Sequence, residues 1–68
     1  MYKKGYIEAL EYKYNAQIKA HRIALDILMS NPVGIGEHTD YIEEAHKHVS
    51  AMAEARENLE TLPELSES

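Results

Sequence analysis

The sequence predicts an all-α protein: two antiparallel helices forming a hairpin that assembles into an oligomeric helix bundle. Three observations lead there. Along two segments the apolar residues recur at spacings of three and four, the rhythm of a helix face. One cluster of breakers, Asn31-Pro32-Val33-Gly34-Ile35-Gly36, separates the segments. The chain has only 68 residues, and one so short buries about 60% of its unfolded surface, so it needs a staple or a partner. There is no cysteine, which excludes a disulfide framework and a cysteine-based zinc site. A partner remains.

The first helix is expected over residues 3–30. It is rich in Ala, Leu, Ile, Glu and Lys, and neither Gly nor Pro follows Gly5. Asn31-Pro32 ends it, because Pro32 pushes the residue before it out of the α region. Two apolar stripes run along this helix. Ile7, Leu10, Tyr14, Ile18, His21, Leu25 and Leu28 form the first. Tyr2, Ala9, Ala16, Ala20, Ile23 and Ile27 form the second, roughly 150° around the axis. A helix apolar on two sides needs neighbours on two sides, and the chain supplies one. The second stripe, with Ala16, Ala20, Ile23 and Ile27 at its centre, is therefore the expected oligomer interface.

The second helix is expected over residues 40–62. Asp40 and Glu43 stand in capping-box spacing, and Glu43 and Glu44 suit the positive end of the helix dipole. Ile42, Ala45, Val49, Met52, Arg56 and Leu59 make a single seam at heptad spacing, opposite a polar face of Lys47, Ser50, Glu54, Glu57 and Asn58. An unpaired guanidinium in a core is very costly, so Arg56 is expected to meet Glu11 or Glu8 of the first helix. Pro63 is expected to stop the helix, leaving 63–68 as an acidic tail.

The connection, residues 31–39, is longer than a helical hairpin needs. Val33 and Ile35 are expected to fold back and plug the end of the bundle. The other reading is a small anion-binding site built from backbone N–H groups at Gly34 and Gly36, with His38 as an added donor at a helix start. Glu37 and Asp40 oppose an anion there, and two glycines without a third, and without Lys-Ser/Thr, fall short of a phosphate-loop signature.

The block Asn31-Pro32-Val33-Gly34-Ile35-Gly36-Glu37-His38, followed by an acidic helix centred on Ala53-Glu54-Ala55-Arg56, resembles small proteins of tailed bacteriophages, notably cyanophages and large myophages. The resemblance rests on residues 31–59. Residues 1–30 share only helical character, and Thr39 stands where those proteins often have Pro or Ser. It implies a phage origin and a place in the cytoplasm of the infected bacterial host. It brings no functional residue with it.

Charge and chemistry narrow the function. The net charge of −5 disfavours nucleic acid as a partner. Residues 1–30 carry a local +2 and residues 31–68 a local −7, so the two helices attract when packed side by side. No run of 18 apolar residues exists to span a membrane, and Met1–Gly5 leads into no apolar stretch of a signal peptide.

Glu43 and His46 have the Glu-x-x-His spacing of di-iron helices, but they lie away from the seam, so no metal and no cofactor is expected. His46 and His48 are two residues apart and cannot chelate together. His21, inside the first stripe, reads as a packed, hydrogen-bonded side chain. Ser30, Ser50, Ser66 and Ser68 stand in no motif, and no nucleophile, base and orienting group can be assembled. The chain is not expected to be an enzyme.

Binding is what is left. The leading expectation is a homo-oligomer that docks on a host or phage protein through its acidic second helix or its oligomer surface. The alternatives are a sponge for a nucleotide signal, with pockets between subunits, and a minor structural component of the virion.

Overall fold

A computed structural model of the chain describes residues 2–30 and 38–66. Two α-helices of 29 residues each, α1 (Tyr2–Ser30) and α2 (His38–Ser66), pack against one another as a hairpin. The molecule measures 53 × 14 × 12 Å with a radius of gyration of 16.0 Å. A globular chain of this length would have a radius of about 11 Å. The hairpin is a rod one helix pair wide.

The first stripe of α1 faces α2. Ile7, Leu10, Tyr14, Ile18, His21, Leu25 and Leu28, joined by Ala24, are the residues of α1 that α2 partly covers, and none is fully buried. The pattern of threes and fours therefore locates the contact face of α1 correctly.

On α2 the expected seam needs correction. The covered residues are Tyr41, Ala45, His48, Met52, Ala55, Leu59 and Leu62, an unbroken four-three repeat, with Ala51 and Asn58 half-buried at its flank, although Asn58 was expected on the polar face. Ile42, Val49 and Arg56 are exposed. The helix is turned by roughly half of one residue step, about 50–60°, from the orientation expected. The physical reason is charge: the turned seam takes in the larger Tyr41 and His48 in place of Ile42 and Val49, but it replaces Arg56 by Ala55 at the centre. With Arg56 in solvent, no core carboxylate is required, and the expected pairing with Glu11 or Glu8 loses its motive.

The tightest packing is in the C-terminal half of α2, where Met52 (8% exposed), Ala55 (1%) and Leu62 (5%) are the buried side chains among the described residues. Pro63 does not stop the helix, which continues to Ser66. A proline in the last turn removes one N–H donor and strains one preceding carbonyl, and the packing of Leu62 beside it offsets that cost. Side chains support the helix surfaces locally. The Asn15 amide donates to the Glu11 carbonyl (3.0 Å), the Thr61 hydroxyl to the Glu57 carbonyl (2.9 Å) and the Ser30 hydroxyl to the Ile27 carbonyl (3.2 Å).

Candidate functional site

Two features stand out on this rod: a polar pair inside the helix interface and an apolar face outside it. The polar pair is His21 and His48. Helix α1 places His21 in its contact stripe, and the turned seam of α2 brings His48 opposite. Their Nδ1 atoms lie 2.9 Å apart, and the ring centres are 5.1 Å apart with the planes inclined at 49°. Both side chains are half-buried. One Nδ1 must carry a proton and donate while the other accepts through its lone pair. Such a bond contributes on the order of 1 kcal/mol net. The expectation that His21 is packed and hydrogen-bonded holds in this geometry, with a partner, His48, that the expected seam of α2 did not include.

Beside His21 a groove of about 320 Å³ opens along the helix interface, flanked by Lys13, Tyr14, Gln17, Glu54 and Asn58. It gives water a route to the His21 side of the pair. Glu43 and His46 are exposed on the outer side of α2. There Glu44 and Lys47 form a surface ion pair at 3.8 Å. Among the described residues no three His, Cys, Asp or Glu converge as a metal cage, and no buried side-chain polar atom lacks a partner.

The apolar face is the second stripe of α1. Ala16, Ala20, Ile23 (54% exposed) and Ile27 (64%) all face solvent in the hairpin. Tyr12, Ala16 and Ile23 border a shallow groove whose other wall includes Lys19, Arg22 and Asp26. Near the connecting end, Met29 and Ile42 are exposed beside Leu28 and Tyr41. Gly34 and Gly36 of the anion-site reading lie outside the described residues, as does the side chain of His38. No helix among the described residues is long and apolar enough to cross a membrane.

The residue that sequence reasoning missed is His48. Its signal was present: positions 41, 45, 48, 52, 55, 59 and 62 alternate steps of four and three without a break. The competing pattern through Ile42 and Val49 looked stronger because it holds larger aliphatic residues. Compared with known proteins, the chain matches no family model, no curated protein and no solved structure.

Proposed function

We propose that this chain is a non-enzymatic, phage-encoded interaction protein. It self-associates through the second stripe of α1 and docks on a host or phage protein in the cytoplasm of the infected cell. The observation that carries the reading is uncovered surface. The hairpin exposes 5522 Å², whereas a folded monomer of its 7.8 kDa mass would expose about 4,400 Å². The excess, roughly 1,100 Å², is of the order that one partner buries in a standard protein interface, about 800 Å². Ala16, Ala20, Ile23 and Ile27 supply small and branched residues at the spacing that lets helices pack closely.

The chemistry of α2 suggests the second partner. With the second stripe of α1 occupied by another copy, the outer side of α2 stays in water, carrying the exposed carboxylates Glu54, Glu57 and Glu60. A surface of that charge attracts a basic patch and gives salt-sensitive association. The test is affinity capture from phage-infected cells with wild type and with the triple variant Glu54→Lys/Glu57→Lys/Glu60→Lys. A specific protein should be retained by wild type, released by salt and lost from the variant. Recovery of the same proteins by both, or of none by wild type, contradicts the reading.

A further inference from the structure

We propose that His21 and His48 form a two-histidine site for a divalent transition-metal ion, with zinc the best fit, which clasps α1 to α2 through both Nδ1 atoms. The argument starts from distances. Zinc holds imidazole nitrogens at about 2.0–2.1 Å in tetrahedral geometry, which sets two such nitrogens about 3.3 Å apart and their ring centres about 5 Å apart. The two rings here are centred 5.1 Å apart already. Their Nδ1 atoms, at 2.9 Å, are drawn inward by the shared proton. Small rotations of each side chain about its Cα–Cβ and Cβ–Cγ bonds that open the nitrogens by about 0.4 Å would bring them to the spacing the ion requires. The metal-free hairpin holds the ligands together by a hydrogen bond; on binding, the donor ring gives up its Nδ1 proton to water and takes one at Nε2, so that both Nδ1 lone pairs face the ion.

The surroundings suit that exchange. Both imidazoles are half-buried on facing helices, so their positions are set by the helix packing rather than by a loop. The groove beside His21 admits water to fill the two coordination positions left open. No third histidine, cysteine or carboxylate joins the pair among the described residues, so affinity falls below that of a closed four-ligand site. The ligands are 27 residues apart in sequence, so the ion cross-links the two helices about a third of the way along from their connecting end. Binding only to the folded form stabilises it by mass action. The site lies within one hairpin and goes beyond the self-association proposed above without resting on it.

The experiment is a zinc chloride titration of the full chain, read by calorimetry, by thermal melting and by the imidazole nitrogen resonances. One ion should bind per chain, shifting the resonances of His21 and His48. Saturating zinc should raise Tm by about 4–8 °C. His21→Gln and His48→Gln keep a hydrogen-bonding side chain of similar size but lack the imidazole lone pair, so the rise should vanish in both. It should persist in His46→Gln, which alters an exposed histidine. The proposal is overturned if both interface variants keep the wild-type rise. It is equally overturned if zinc leaves the wild-type Tm unchanged, or moves only the resonances of His38 and His46. The wild-type resonances decide the matter even if an interface variant fails to fold.

Discussion

Leu62→Ala should cost about 2–5 kcal/mol of stability, the range for truncating a buried leucine. Leu62 is 5% exposed and closes the seam of α2, so its removal leaves a void in a core that has few other buried side chains to collapse into it. A two-helix hairpin has only a few kcal/mol in hand, and the variant should be largely unfolded at 25 °C. Urea titration followed by far-ultraviolet circular dichroism measures the loss. Arg56→Ala is the control: Arg56 is exposed, so its truncation should change stability by no more than about 0.5 kcal/mol. A comparable loss in both variants would restore Arg56 to the seam and contradict the packing described above.

The second large effect is expected at Ile23 and Ile27. Ile23→Asp or Ile27→Asp puts a carboxylate at a position that is exposed in the hairpin but covered by another copy in the proposed assembly. Burying an unpaired charge costs several kcal/mol, and a loss of about 3 kcal/mol weakens an interface more than a hundredfold. Each variant should therefore sediment as a smaller species than wild type at the same concentration. Neither residue belongs to the α1–α2 contact, so the effect should fall on association first. Wild-type mass retained by both variants would remove the second stripe from the interface.

Much of the fold was legible because helix periodicity is a strong signal where only one face fits. On α1 the first stripe contains Ile7, Leu10, Ile18, Leu25 and Leu28, and rotating it would expose those large residues. On α2 two patterns overlap and share Ala45, Met52 and Leu59. Choosing by hydrophobicity favoured Ile42 and Val49. The packing instead kept the Arg56 guanidinium in solvent and turned Ala55 inward, with Tyr41 and His48 beside it in the seam. That choice carried the site with it. His48 fell outside the expected seam only while Val49 was taken to point inward, and the imidazole pair could not be assembled without it.

The end of α2 was misread for a similar reason. Pro63 counts as a helix breaker in isolation, but in the last turn it forfeits few hydrogen bonds, and Leu62 gains by staying helical.

The central claim, that the hairpin is one part of a larger bundle, is tested most directly by sedimentation equilibrium of the wild-type chain at micromolar concentration. The uncovered stripe of α1 and the excess of exposed surface predict a helical species of at least twice the 7.8 kDa chain mass. A stably folded, fully helical species at the mass of a single chain would contradict it.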